Sequence, residues 1–174
     1  QLATMSYGHA STLWRINRGW KRRKRDSELG FVLDVERGYW AKDAQADPDD
    51  DVEDPLSGRR TRVIPFVEDR RNAFLFEPTT SLGAPVMATL QAAFKHAIQV
   101  TYQLEDAEVA AEPLPGSDAR RALLLYESAE GGAGVLRRLV DDPAALNQVA
   151  RAALELCHFD PETGADRGSA PGAK

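Results

Sequence analysis

Apolar and polar positions alternate with period two early in the chain and recur every three or four residues later, with the change falling near residue 79. Within residues 4–20, Leu13, Arg15 and Asn17 alternate with Trp14 and Ile16, which predicts one strand. Residues 28–42 predict a second, with Phe31, Leu33 and Val35 on one face, Val32, Asp34 and Glu36 on the other, and Gly38 ending it. In residues 61–78, Val63, Ile64, Phe66 and Val67 precede a charged centre, Glu68 to Asn72, and Phe74, Leu75 and Phe76 follow it. That pattern predicts a hairpin or strand–turn–strand. Beyond it, Thr80 or Ser81 is a candidate cap for a helix over 85–104, in which Met87, Leu90, Phe94, Ile98 and Thr101 or Tyr102 form the apolar stripe. Residues 105–116 read as a strand or extended link broken by prolines, and 119–127 as a buried strand. Val135, Leu136, Leu139 and Val140 fall at helical spacing. Asp142-Pro143 then opens a helix with an aspartate cap and proline in the first turn. Its inner face is Leu146, Val149, Ala150, Ala153, Leu154 and Cys157. The expected fold class is α+β: a small antiparallel β-rich part, 1–78, carrying an acidic loop at 43–60, and a mixed α/β part, 79–174.

The stretch LLLYESAEGGAGVLRRLV, residues 123–140, joins a buried strand to a helix through Gly131, Gly132 and Gly134. Strand, glycine turn and helix are the outline of a phosphate loop. The Lys-Ser/Thr pair of a Walker A loop is missing, and Glu127 and Glu130 would repel a phosphate. A carboxylate near a helix N-terminus satisfies the dipole itself. The reading carried forward is a tight turn where backbone packs closely.

Charge changes the picture more than overall composition. The 174 residues carry a net −5, yet residues 1–42 hold nine Lys/Arg against four Asp/Glu, while the remainder holds 13 against 23. A basic end on an acidic chain points to a polyanion. The run Lys21, Arg22, Arg23, Lys24 and Arg25, reinforced by Arg15 and Arg18, is the candidate phosphate contact, and Trp14 and Trp20 are stacking candidates, although tryptophans in a strand ordinarily serve a core. The acidic loop lacks the glycine and terminal glutamate of an EF-hand. One cysteine excludes an internal disulfide and fits a cytoplasmic protein; neither a signal peptide nor a membrane-length apolar run is present. The ends of the chain read as those of a piece of a longer protein.

Tyr126, Glu127, Gly131, Gly132, Gly134 and Cys157 match a pattern of a Tyr-acid pair, a Gly-Gly-x-Gly turn, helices and a cysteine cluster. In this the chain resembles the C-terminal domain of unknown function on superfamily 2 helicase-like proteins, which is a zinc-binding module in MrfA-type helicases. The segments SYG, INRG, GFVLD, GYW and VIPFVEDRRN resemble the region leading into that domain in the helicase-like subunit of DISARM phage-defence systems. The resemblance implies a non-catalytic accessory domain. Its partners would be DNA, an N-terminal helicase motor and a defence-system subunit, with no membrane. It implies ATP with magnesium, and zinc, in the parent protein, and no cofactor in these residues themselves. Cys157 would be a zinc ligand only if cysteines beyond the chain completed the site.

Two other classes are drawn from the same residues. The acidic surface suits an assembly module that docks a partner subunit without DNA. Glu68, Asp69, Glu127 and Glu130 suggest a metal-dependent nuclease, against which neighbouring strand residues point to opposite faces and Arg70 and Arg71 are at hand as ion-pair partners.

Overall fold

A computed structural model describes residues 2–20, 29–40, 59–129 and 131–168. Among the described residues, seven strands and three helices follow in the order β1 (Ala3–Ile16), β2 (Phe31–Asp34), β3 (Tyr39–Trp40), β4 (Arg60–Val63), β5 (Phe66–Pro78), α1 (Ala84–Tyr102), β6 (Val109–Leu114), β7 (Ala122–Glu127), α2 (Val135–Asp141) and α3 (Pro143–Leu156). One sheet has the order β1-β5-β7-β6 and a second the order β3-β2-β4. The α+β class expected from the sequence is the one observed. The chain forms two compact units, Gln1–Thr12 with Arg70–Lys174, and Leu13–Asp69.

In the larger unit β7 is central, antiparallel to β5 (Phe74 opposite Leu125) and to β6 (Ala111 opposite Leu125). Strand parity places Asn72, Phe74 and Phe76 on one side of β5 and Leu123, Leu125 and Glu127 on the same side of β7. The three helices cover that side. Phe94 of α1 packs on Phe74 and Phe76, and Met87, Ile98, Leu136, Leu139 and Val149 complete the core with Leu123 and Leu125. Leu2 accepts the Thr79 amide at 3.0 Å and Ala10 donates to the Asn72 side chain at 3.2 Å, so β1 runs antiparallel to β5.

Three local expectations are corrected. Where one strand was expected over 28–42, the described residues 29–40 form a hairpin of β2 and β3. Asp34 Oδ1 accepts the amides of Glu36 and Arg37, each at 3.0 Å, and Gly38 takes φ 74°, so a turn follows Asp34. The charged centre of 61–78 is no turn. Asp69 and Asn72 are turn formers by type, yet β5 runs straight through Glu68 to Asn72, where pairing with neighbouring strands overrides local preference; the break falls earlier, between β4 and β5, at Ile64-Pro65. Neither Thr80 nor Ser81 caps α1. The N-cap is Gly83, without a side-chain bond, and proline in the first turn starts the helix. The expected cap of α3 is present, with Asp142 Oδ1 accepting the Ala144 amide at 2.9 Å. On that helix Ala145 and Val149 are buried, whereas Ala150 is exposed.

The tail after α3 has no apolar period, yet it closes on itself. Phe159 bridges to Asp166, and Asp160 accepts the amides of Glu162 (3.0 Å) and Thr163 (2.8 Å) and the Thr163 hydroxyl (3.0 Å). Arg167 reaches its other oxygen at 3.2 Å. The backbone amides of Thr163 and Glu162, then the Thr163 hydroxyl and Arg167, hold the Asp160 carboxyl at about 2. Among the described residues no helix is long and apolar enough to cross a membrane.

Candidate functional site

The glycine turn is built around a buried carboxylate. Glu127, the last residue of β7, is 1% exposed, and Asn72, the first buried residue of β5, is 5% exposed. Asn72 Nδ2 donates to Glu127 Oε2 at 2.9 Å and to the Gly131 carbonyl at 3.0 Å, while its Oδ1 accepts the Ala10 amide. Glu127 Oε1 accepts the Leu136 amide of α2 at 3.2 Å. One carboxylate thus serves an amide of the helix's first turn with one oxygen and the asparagine with the other. The turn favours glycine at three positions and excludes a side chain at one. Gly131, Gly132 and Gly134 have φ of 83°, 59° and 71°, and a Cβ on Gly132 would overlap the Glu127 carboxylate. Tyr7 of β1 packs against the core beside this group, and burial first, then the Glu127 charge, pushes its phenol up.

Gly131, Gly132 and Gly134 form a tight turn beside Glu127, while Tyr126 lies in β7, opposite Ala73 and Ala110. Glu130 lies outside the described residues. With both oxygens of Glu127 engaged, and Glu68 and Asp69 successive in β5, the geometry gives no support to a shared metal at these carboxylates. Sequence reasoning missed Asn72. The signal was a lone carboxamide ending VEDRRN, directly before four apolar residues, Ala73 to Phe76, whose alternation places it on the side of Phe74 and Phe76.

The second candidate lies in the smaller unit. INRG, residues 16–19, is a close-packing device. Asn17 donates its amide to Pro65 at 2.8 Å and accepts the Gly19 amide on Oδ1 at 3.2 Å; Gly30 donates to the Arg18 carbonyl at 2.8 Å. A Cβ on Gly19, at φ 102°, would lie 2.6 Å from the Gly30 carbonyl oxygen. Trp20 makes a T-shaped contact with Phe31, with ring centroids 5.7 Å apart, and Phe31 makes another with Trp40 at 5.9 Å. Trp14 stacks on Phe66 at 5.5 Å. Contrary to a core role, Trp14, Trp20 and Trp40 are 60%, 57% and 52% exposed. Arg15 and Arg18 are exposed in the same unit; Lys21, Arg22, Arg23, Lys24 and Arg25, and the acidic loop over residues 43–58, lie outside the described residues.

Cys157 is half-buried at the C-cap of α3, and His158 beside it takes φ 63°. Among the described residues no group of three or more His, Cys, Asp or Glu is placed to hold a metal ion. A structural zinc site takes four ligands, so the described residues alone do not fit one.

A sheet with helices on one face, joined by a glycine turn locked on a buried glutamate, defines the larger unit as an α+β helix-on-sheet module. Residues 90–164 of it, from α1 through the turn to the tail, match the family model of the MrfA Zn-binding domain. Among solved structures, one described as "Crystal Structure of DUF1998 helicase MrfA bound to DNA" aligns over 99% of this chain at 11% identity, with a TM-score of 0.44. The chain spans 24% of that protein's length. No curated protein matches.

Proposed function

We propose that the chain is a non-catalytic accessory domain of a DNA helicase or translocase that contributes DNA contact. The observation that carries this reading is the match of residues 90–164 to the MrfA Zn-binding domain, which spans the whole Glu127 turn. MrfA is described as a helicase and its structure as bound to DNA. Contact with DNA is assigned to Arg15, Arg18 and Lys21 to Arg25, a set of seven cations uninterrupted by an acid. The motor and its ATP chemistry belong to other parts of such a protein. The setting in anti-phage defence, with a partner subunit, rests on the likeness of INRG and VEDRRN to the DISARM helicase-like subunit.

Phosphate contacts release counterions, so affinity should fall linearly in log salt, by about −0.9 per contact on duplex and −0.7 on single strands. Replacing three of the five cations of 21–25 by serine should flatten the slope by about two to three units, nearly equally for all DNA sequences. An unchanged slope in a salt titration of the full-length protein would remove the basic run from the interface.

Zinc follows from the name of the matched family, with Cys157 as a ligand and the other ligands supplied from outside the described residues. A longer form of the protein should purify with stoichiometric zinc, lowered by Cys157→Ser. Metal content unaffected by that substitution sinks the assignment.

A further inference from the structure

We propose that the Phe31 face of the three-stranded sheet is a platform on which the unpaired bases of a single-stranded nucleic acid stack. The inference rests on the nucleic-acid reading above and adds the form of the ligand and the residues that meet its bases.

The register of the small sheet sets Leu33 opposite both Trp40 and Thr61, and Phe31 opposite Val63. Phe31, Leu33, Trp40, Thr61 and Val63 therefore share one face, to which Gly19 and Gly30 bring Trp20. Tryptophan is on average highly buried, yet Trp20 and Trp40 leave more than half their surface in solvent. Their contacts to Phe31 are edge-on, at interplanar angles of 78° and 71°. An edge-on contact fixes a ring while covering at most one of its faces, so flat apolar surface is held ready for a planar ligand.

Charge selects the occupant. Residues 13–25 hold Arg15, Arg18 and the five cations Lys21 to Arg25, with no Asp or Glu. Trp20 is followed directly by that run and preceded two residues earlier by Arg18. In the sequence Trp14 and Trp20 alternate with these cations, of which Lys21 to Arg25 lie outside the described residues, a pattern that suits a ligand alternating π-surfaces with phosphates. A duplex keeps its base faces stacked inside, so only unpaired bases can use the platform.

The test measures binding of the full chain to three labelled probes of one length: oligo-dT, an abasic strand of the same phosphate number, and duplex DNA. Oligo-dT should bind more tightly than the abasic strand by about 5- to 150-fold for each base stacked. Trp20→Ala and Trp40→Ala should each remove a share of that preference, leave the abasic affinity unchanged and melt as the parent does; Trp40→Phe should retain most of it. The comparison of oligo-dT with the abasic strand needs no variant. Equal affinity for those two probes overturns the platform while leaving phosphate contact intact. Binding to none of the three overturns the nucleic-acid reading as well and gives the face to a protein partner.

Discussion

At the scale of single residues, the turn after β7 is held by a carboxylate that serves two elements at once. The three glycines were legible as a tight turn because no other residue type clusters at positive φ. Glu127 was legible as a helix-terminus carboxylate. Asn72 was not, since nothing in a sequence says that a residue 55 positions away will donate to it. The glycines themselves differ. Gly134 has open space around its missing Cβ, so Gly134→Val should cost only what its φ of 71° imposes, about 1–3 kcal/mol. Gly132→Val adds an overlap with Glu127 and should cost more, on the order of 3–5 kcal/mol. Urea melts of the two variants check this; equal losses would mean that the Glu127 contact carries none of the difference.

At the scale of elements, sequence legibility followed local chemistry. The Asp142-Pro143 start of α3 was readable because cap and first turn lie side by side in the chain. The continuation of β5 through Glu68 to Asn72 was not, because Asp69 and Asn72 are turn formers by type and the strand pairing that overrides them is not local. The tail of 158–168 was unreadable from periodicity, since it is held by one side chain collecting backbone amides. That side chain makes the tail acid-sensitive. The folded Asp160 value of about 2 lies below its ordinary 3.8, so the ionised form is favoured by the loop. Its contribution is present in full above about pH 4 and is lost as the pH falls through the folded value. The Thr163 amide resonance should therefore titrate with a midpoint near 2 and be flat in Asp160→Ala. A midpoint at the ordinary carboxylate value would mean that the loop does not grip the group.

At the scale of the whole molecule, charge and composition pointed to a polyanion from the N-terminal 42 residues, and the exposed tryptophans of the smaller unit lie in or beside that stretch. Periodicity marks where elements change type near residue 79, but it carries no information on which elements pack together. The grouping of Gln1–Thr12 with Arg70–Lys174 depends on β1 pairing with β5 across an intervening stretch of chain. The α+β class was legible because the period changes are local; the partners of each strand were not.

The antiparallel run of β1 beside β5 has a consequence for how this chain can be taken apart. With Leu2 bonded to Thr79 and Ala10 to Asn72, the points where the chain leaves and re-enters the larger unit, after Thr12 and before Arg70, face each other on adjacent strands. The smaller unit is thus an insertion in the bend of a long hairpin, the kind of site at which circular permutation and domain grafting succeed. Exchanging Leu13–Asp69 for a short Asn-Gly turn should leave a miniature of the larger unit that melts cooperatively. A non-cooperative transition would show the two to be one folding unit. A cooperative miniature would mean that the aromatic residues of the smaller unit can change without disturbing the turn locked on Glu127.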